Sequence, residues 1–260
     1  MILPFFQVDA FAERPLTGNP AGVMLLEEWL PDATLQAIAA ENNLSETAFT
    51  VPADREDADY DLRWFTPVAE VDMCGHASLA AGHILLTGEQ VRFATRSGII
   101  TVHRSADALL ELSLPTAKLR QVDDSELCAS LGLSNRPAWL ASECNDSAIL
   151  LLDSEHEVRA VQPDFARLKS LPRMAIVTAP GDQHAIASRV FVPYLGIDED
   201  PVTGSAHAAL VPFWAERLGR TRFTAVQASR RSGVLECRLA GDRVLLAGTC
   251  FTTIEGSFQL

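Results

Sequence analysis

The chain has 260 residues, 48% hydrophobic and 21% charged, which is enough for a sizeable core and near the length at which one core divides into two. This composition excludes a peptide, a disordered tail and a coiled coil. The 21 Lys and Arg residues against 34 Asp and Glu residues give a net charge of −13. Because such a surface repels phosphate backbones and anionic lipids, we expect neither a nucleic acid nor a membrane as partner.

The five cysteines are an odd number, widely spaced and without a C-x-x-C pair, which argues against a disulfide framework and a structural zinc site. A reducing compartment follows from this pattern. The N-terminus has no basic leader region, and His83, Pro212 and Glu216 interrupt the most apolar helical stretches. We therefore predict a soluble, cytoplasmic protein.

The predicted elements of the first half alternate between short strands and two helices. Alternating apolar residues predict an opening strand over 5–11, and the T-G-N-P turn at 17–20 precedes a strand over 21–26. A helix is predicted from Pro31–Asp32 to the asparagine pair at 42–43. Strands over 45–51 and 60–65 follow, separated by an acidic loop at 53–59. A helix over 77–86 is closed by Gly88.

Three sequence patterns occur twice in the same order. RWFTP at 63–67 returns as RVFVP at 189–193, GHAS at 75–78 as GSAH at 204–207, and RSGII at 96–100 as RSGVL at 231–235. Short patterns also recur by chance, but three in sequence favour a duplication. The predicted fold class is therefore α+β, with two pseudo-symmetric lobes that each wrap a curved, mostly antiparallel sheet around a small-residue helix.

The predicted domains are an N-terminal lobe over 1–117 and a C-terminal lobe over 118–249. The last strand, 250–260, is expected to return to the first lobe. Alanines at the two duplicated helices would let each helix pack closely inside its sheet: Ala77, Ala80 and Ala81 in one lobe, Ala206, Ala208 and Ala209 in the other.

The duplicated helix starts, Gly75-His76 and Gly204-Ser205, are candidate anion sites. A helix N-terminus presents unpaired N–H groups and a partial positive charge, so it binds carboxylates without a basic side chain. Two such starts facing each other across a cleft would bind a small carboxylate substrate. The alternative is that the glycines only relax the turn into the helix and Ser205 only caps it.

Glu46 is the leading candidate for proton transfer. Its strand neighbours are apolar or hydroxylic, and partial desolvation raises the pKa of a carboxyl toward the range useful for taking and returning a proton. The alternative is an edge-strand glutamate that points to solvent. The residues alone leave both interpretations open.

Three further residues are candidates near these motifs. His76, at a positive helix end, would stay neutral and serve as a hydrogen-bond donor or a proton acceptor, or would only satisfy local hydrogen bonds. Asp200, before a proline, could accept a proton or orient His76 or a substrate amine. Asn19 in the T-G-N-P turn is a candidate substrate-binding residue or simply a turn former.

Five motifs together resemble the PhzF-like family of phenazine biosynthesis: TGNPAGV (17–23), NLSETAF (43–49), RWFTPVAEVDMCGHASLAAGH (63–83), TRSG (95–98) and GIDEDPVTGSAHAAL (196–210). The resemblance covers nearly the whole chain. It implies the diaminopimelate epimerase-like fold with the active site between two lobes. A well-understood family member isomerises trans-2,3-dihydro-3-hydroxyanthranilate, with a glutamate moving a proton between ring carbons.

Carried over to this chain, the resemblance implies an isomerase without metal or organic cofactor. Glu46 would be the general acid and base, supported by His76 and Asp200, while Gly75, Gly204 and Ser205 would bind the substrate carboxylate. A homodimer is implied by the resemblance alone. The chain is shorter than expected for the phenazine enzyme, and the residues of its CGHAS and DPVTGSAHAAL motifs differ from that enzyme's. The resemblance therefore does not define the substrate.

Cys74 carries the main alternative. Related epimerases and racemases place one cysteine before each duplicated helix, but here the second position is Thr203, whose hydroxyl is too weak an acid to replace a thiol. A one-thiol epimerase or dehydratase using Cys74 stays open, as does a small buried cysteine without a role. A non-catalytic small-molecule binding protein is a further alternative.

Overall fold

The computed structural model describes residues 1–105, 107–142 and 146–260. The fold is α+β, as predicted, with short helices among many strands. The chain forms two compact units, Met1–Ser113 with Ala247–Leu260, and Leu114–Leu246. The division between the units thus comes a few residues before each of the positions 117 and 249 at which we expected it.

The described residues of the first unit, 1–105, 107–113 and 247–260, form two helices and a larger number of strands. The strands are β1 (Ile2–Ala10), β2 (Asn19–Leu25), β3 (Glu46–Pro52), β4 (Tyr60–Phe65), β5 (Glu70–Val71), β6 (Gln90–Thr95), β7 (Gly98–Arg104), the start of β8 (Leu110–Pro115) and the last strand, β18 (Cys250–Gln259). The helices are α1 (Asp32–Asn42) and α2 (Gly75–Leu85).

In the second unit, residues 114–142 and 146–246 form four helices and the strands that follow β8. The strands are β9 (Lys118–Val122), β10 (Ala138–Ser142), β11 (Ser147–Leu151), β12 (Met174–Pro180), β13 (Ile186–Val192), β14 (Ile197–Asp200), β15 (Arg222–Gln227), β16 (Gly233–Ala240) and most of β17 (Arg243–Gly248). The helices are α3 (Ser125–Ser130), α4 (Glu155–Ala160), α5 (Phe165–Leu168) and α6 (Gly204–Leu218), with a 3-10 turn at Pro193–Leu195.

The two units repeat one topology, which confirms the duplication inferred from the sequence. In the first unit β2 and β3 are parallel, β3 and β4 antiparallel, and β4 pairs with both antiparallel β5 and parallel β6. In the second unit β11, β12, β13, β14 and β15 repeat these pairings in the same order. Helix α1 connects the parallel strands of the first unit, and α4 with α5 connects those of the second.

The repeated R-x-F pattern has the same structural role in both units. Arg63 on β4 donates two hydrogen bonds to the Glu70 carboxylate, at 2.7 and 2.8 Å. Arg189 on β13 does the same to Glu199, at 2.7 and 3.0 Å. Each guanidinium also lies over the ring of the phenylalanine two residues later, 5.2 Å from Phe65 in one unit and 4.9 Å from Phe191 in the other. Planar, two-pronged pairing of this kind fixes the short strands β5 and β14 against their neighbours.

Helix α2 is the central helix of the first unit. It contacts β1, β2, β3, β7 and β18, and every residue from Gly75 to Gly82 is buried. Small side chains make this possible, since Ala77, Ala80 and Ala81 are fully enclosed. Helix α6 has the same character in the second unit, with Ala206, Ala208 and Ala209 buried.

Several predicted boundaries need correction. Strand β1 begins at Ile2 rather than at residue 5, because its early residues pair with β18. Helix α2 begins at Gly75 and ends at Leu85, slightly earlier than the predicted span of 77–86. The prediction for α1 is confirmed, since the helix covers Asp32–Asn42 and Asn43 adopts the left-handed conformation that terminates it.

Gly82 determines how closely α2 approaches β7, and this gives a test. A Cβ added at Gly82 would lie 2.6 Å from Cγ1 and 2.8 Å from Cβ of Val102. A β-branched side chain cannot turn away from such a clash, so we expect Gly82→Ala to lower the free energy of unfolding by about 1–3 kcal/mol. The measurement is urea denaturation of the wild type and the variant.

Gly88 provides the matched control, because a Cβ there would meet no atom within 4 Å. Gly88→Ala should change the free energy of unfolding by less than about 0.5 kcal/mol. Adding Val102→Ala to Gly82→Ala should recover part of the loss. Equal stability of Gly82→Ala and Gly88→Ala would contradict this packing argument.

Candidate active site

The N-terminal ends of two parallel strands bring Asn19 and Glu46 to one region of the first unit. Ala21 on β2 lies opposite Glu46 on β3, and Asn19 is the first residue of β2. Gly18 supplies the positive φ of +71° that the preceding turn needs, and a side chain there would collide with the backbone oxygen of Ala10. The T-G-N-P motif therefore positions the buried Asn19 in addition to forming the turn.

Helix α2 delivers His76 to the same place. His76 is in the first turn of the helix and is only 4% exposed. Its Nε2 lies 3.2 Å from Oε2 of Glu46, whose side chain is 16% exposed. The two atoms are at contact distance but are not aligned as a hydrogen bond. A buried imidazole and a largely buried carboxylate thus face each other. Glu46 is therefore not the solvent-facing glutamate that the sequence left as an alternative.

The other ring nitrogen of His76 has polar neighbours. Nδ2 of Asn19 lies 3.2 Å from Nδ1 of His76. The hydroxyl of Ser45 lies 3.2 Å from Oδ1 of Asn19, to which it donates. Ser45, Asn19, His76 and Glu46 therefore form a continuous polar chain through the interior of the first unit.

Burial governs the protonation of His76. Removal from water lowers the pKa of His76 to about 3, because the charged imidazolium loses its hydration. The imidazole is consequently neutral at neutral pH, in agreement with the expectation from its place at a helix N-terminus.

Cys74 is the residue immediately before α2, and Thr203 is the residue immediately before α6. The structure thus confirms that the two positions correspond. Cys74 is buried and its Sγ lies 3.5 Å from Nδ1 of His76. A neutral imidazole supplies no positive charge to stabilise a thiolate, so this contact alone does not activate the thiol.

Asp200, Gly204 and Ser205 belong to the second unit. Asp200 is buried and accepts a hydrogen bond from the hydroxyl of Thr203. Gln227, fully buried, accepts from the backbone N–H of Thr203 at 2.9 Å and donates to the backbone oxygen of Asp200 at 2.7 Å. Gly204 and Ser205 are the first residues of α6. Their participation in one site with Glu46 stays a prediction.

The two helix starts share one more feature. The hydroxyl of Ser78 donates to the backbone oxygen of Cys74 at 2.5 Å. Four residues into α6, Nδ1 of His207 donates to the backbone oxygen of Thr203 at 2.8 Å. In each unit, the side chain at the fourth helical position donates a hydrogen bond to the backbone oxygen of the residue before the helix. That side chain is a serine in one unit and a histidine in the other.

Glu46, Cys74 and His76 place possible metal-ligating atoms within 4.8 Å of one another. The carboxylate approaches Nε2 of the ring, whereas the thiol approaches Nδ1. Each ring nitrogen thus already has a polar neighbour: the carboxylate at Nε2, and the thiol and the Asn19 amide at Nδ1.

Comparison with known proteins agrees with the motifs. A sequence model of the family described as phenazine biosynthesis-like protein matches residues 8–256. An uncharacterized isomerase of Pseudomonas aeruginosa is 48% identical over 100% of both chains. The crystal structure of a PhzF-family protein from Enterococcus faecalis superposes with a TM-score of 0.92 at 42% identity, covering 100% of both chains. The chain belongs to the phenazine biosynthesis-like family.

Membership in the phenazine biosynthesis-like family confirms the predicted resemblance, and the names of its relatives confirm the prediction of an isomerase. A hydroxyproline epimerase from Agrobacterium vitis, solved with bound trans-4-hydroxy-L-proline, superposes with a TM-score of 0.60 at 12% identity, covering 98% of this chain and 92% of that one. At that identity the similarity concerns the fold alone. It confirms the predicted epimerase-like fold.

Sequence reasoning missed two residues around the candidate site. Ser45 adjoins Glu46 in the S-E-T-A-F motif, and its place in a five-residue motif was the available signal. Gln227 had no such signal, since only the tertiary structure brings the end of β15 to Thr203.

Across residues 1–105, 107–142 and 146–260 there is no helix whose length and apolar character would let it span a bilayer.

Two buried histidines make the stability of this protein dependent on pH. Burial lowers the pKa of His76 to about 3 and that of His207 to about 4, whereas both titrate near 6.5 in an unfolded chain. Below about pH 6.5 the unfolded state binds protons that the folded state does not. The free energy of unfolding should fall with acidification by up to about 1.4 kcal/mol per pH unit for each histidine.

His207→Gln tests how much of the pH dependence of the free energy of unfolding comes from His207, because glutamine is neutral at all these pH values. The variant should lose stability less steeply between pH 6.5 and pH 4.5, measured by urea denaturation at several pH values. The slope is the readout, so a uniformly less stable variant still gives an answer. An unchanged slope would show that His207 is protonated in the folded protein.

Proposed function

We propose that this protein is a cofactor-independent isomerase in which Glu46 moves a proton within a small carboxylate-bearing substrate. The observation that carries the proposal is the contact between the largely buried Glu46 carboxylate and the buried, neutral imidazole of His76, 3.2 Å away. This neighbour is uncharged, so it can orient the carboxylate without neutralising it as a basic side chain would.

A single carboxyl suffices for the reaction we propose. Glu46 takes a proton from one substrate carbon, so that a C–H bond breaks and an O–H bond forms. The electron pair left on that carbon forms a new double bond to its neighbour. The π electrons of the substrate's existing double bond move to the far carbon, which receives the same proton from Glu46. Proximity of both carbons to one carboxyl makes a second acid unnecessary, and no external reagent is consumed.

The substrate anion is proposed to bind at helix N-termini. In the first unit the backbone N–H groups at the start of α2, around Gly75, are adjacent to His76 in sequence. Gly204 and Ser205 provide the equivalent groups of α6. Such groups select a carboxylate even in a chain with a net charge of −13, because the attraction is local and directional. Asp200 is proposed to orient the substrate or a substrate amine.

Glu46→Gln is the direct test, because the amide keeps the shape of the side chain but cannot take up a proton. We expect turnover to fall by at least about 100-fold while the ligand still binds. Turnover is measured as conversion of substrate to its isomer, followed by liquid chromatography with mass spectrometry, over a panel of unsaturated cyclic and linear amino acids. Binding of the compounds that are isomerised is measured separately by calorimetry.

Glu28→Gln is the matched control, since Glu28 is exposed and makes the same change of charge. It should leave turnover unchanged. Full activity of Glu46→Gln would refute the assignment. Ligand binding by the wild type without isomerisation of any compound of the panel would instead favour a binding protein.

Cys74 supports a second candidate, a one-thiol epimerase or dehydratase. Its Sγ is 3.5 Å from His76, so a proton could pass between the thiol and the ring. Two observations weigh against it: the ring is neutral, so no imidazolium stabilises a thiolate, and Thr203 occupies the corresponding place in the second unit.

Cys74→Ala separates the two candidates. If Glu46 is the acid and base, this variant should keep its turnover rate within about tenfold of the wild type, because the smaller side chain removes only packing beside His76. Cys74→Ser keeps the size and hydrogen-bonding capacity and should be closer to the wild type. Loss of activity in both cysteine variants, with full activity in Glu46→Gln, would establish thiol chemistry.

A further inference from the structure

The two nitrogens of the His76 ring have neighbours with opposite hydrogen-bonding capacity. Near Nδ1 are the amide nitrogen of Asn19, which can only donate, and, at 3.5 Å, Sγ of Cys74, which donates as a thiol. Near Nε2 is Oε2 of Glu46, which accepts when the carboxyl is ionised. The neighbours of both nitrogens therefore require the same neutral tautomer, with the hydrogen on Nε2 and the lone pair on Nδ1.

Ser45 contacts the end of the Asn19 amide that faces away from the ring. Its hydroxyl donates to Oδ1 of Asn19 at 3.2 Å, and Asn19 is fully buried and His76 nearly so. Reversal of the amide would place its oxygen against Nδ1 and would suit the other tautomer. In that tautomer the lone pair of Nε2 would face the Glu46 carboxylate, at a cost that water does not relieve in the interior.

We propose that Ser45 and Asn19 are positioning residues that keep His76 in the Nε2–H tautomer, so that His76 donates toward Glu46 and never accepts its proton. The catalytic consequence of this inference rests on the proposed function, in which Glu46 is the acid and base. The tautomer itself is a property of the free protein and is testable without a substrate.

The consequence concerns where the transferred proton is stored. After Glu46 takes a proton from the substrate, transfer to Nε2 is blocked, because that nitrogen already carries a hydrogen. Formation of an imidazolium is opposed by burial, which lowers the pKa of His76 to about 3. The proton stays on the carboxyl and returns to the same substrate molecule, so deuterium from the solvent should enter the product slowly relative to turnover.

Asn19→Asp is the decisive variant. A carboxylate beside Nδ1 accepts a hydrogen bond, and it would draw the hydrogen to Nδ1 or charge the ring. The expected result is a turnover at least about 100-fold slower, since a histidine in the wrong tautomer cannot orient its partner. Ser45→Ala should have a smaller effect of about tenfold, and Ser45→Thr, which keeps the hydroxyl, should restore the rate.

The tautomer is read directly by NMR of protein labelled with 15N in its histidine rings, with His76 assigned by comparison with His76→Gln. In the wild type we expect a protonated Nε2, an unprotonated Nδ1 and no titration between pH 5 and pH 8. In Asn19→Asp we expect a protonated Nδ1. Asn135→Asp, at an exposed loop position, makes the same charge change and should leave the ring signals and the rate unchanged.

The outcomes separate this inference from the proposed function. A protonated Nδ1 in the wild type would overturn the inference, even if Glu46→Gln is inactive, and this measurement does not depend on folding of a variant. Full activity of Glu46→Gln would overturn the proposed function while a protonated Nε2 still supported the tautomer. An Asn19→Asp variant with the wild-type tautomer and rate would also refute the role of Asn19.

Discussion

Burial of the first turns of α2 is the constraint on which the candidate site depends. Small residues let this helix lie among strands of its unit, and the close approach at Gly82 leaves no space for a side chain. His76 is consequently removed from water together with the alanines that follow it. Without that burial the imidazole would titrate near neutral pH, and its hydrogen-bonding role beside Glu46 would change with small changes in acidity.

Duplication explains why the two units share a frame while their chemistry differs. The strand order and the Arg–Glu pairs that secure β5 and β14 are repeated, as is the hydrogen bond to the residue before each central helix. The groups around that frame have diverged. Cys74 corresponds to Thr203, and Ser78 corresponds to His207, so the two helix starts carry different side chains at equivalent positions.

The polar chain through the first unit shows how neutral groups can organise a charged one. The three side chains before Glu46 in this row are uncharged. Ser45 contacts Asn19, Asn19 contacts His76, and His76 lies against the carboxylate of Glu46. A cation in place of the imidazole would bind the carboxylate tightly and reduce its tendency to take a proton. A neutral donor orients the carboxylate with less effect on its basicity, which is the property that a general base requires.

The amino-acid sequence alone was enough to predict the α+β class, the duplication, the bounds of α1 and the family to which the chain belongs. These features depend on local patterns, such as periodicity, turn residues and ordered repeats, which are visible in one dimension. The sequence also indicated Glu46 and His76 as candidates but left open whether Glu46 faced solvent. The packed fold was needed to show that these two side chains meet, that Asn19 and Ser45 lie beside them, and that Gln227 hydrogen-bonds to Thr203. Contacts between distant residues depend on strand register and helix packing, which a single sequence does not specify.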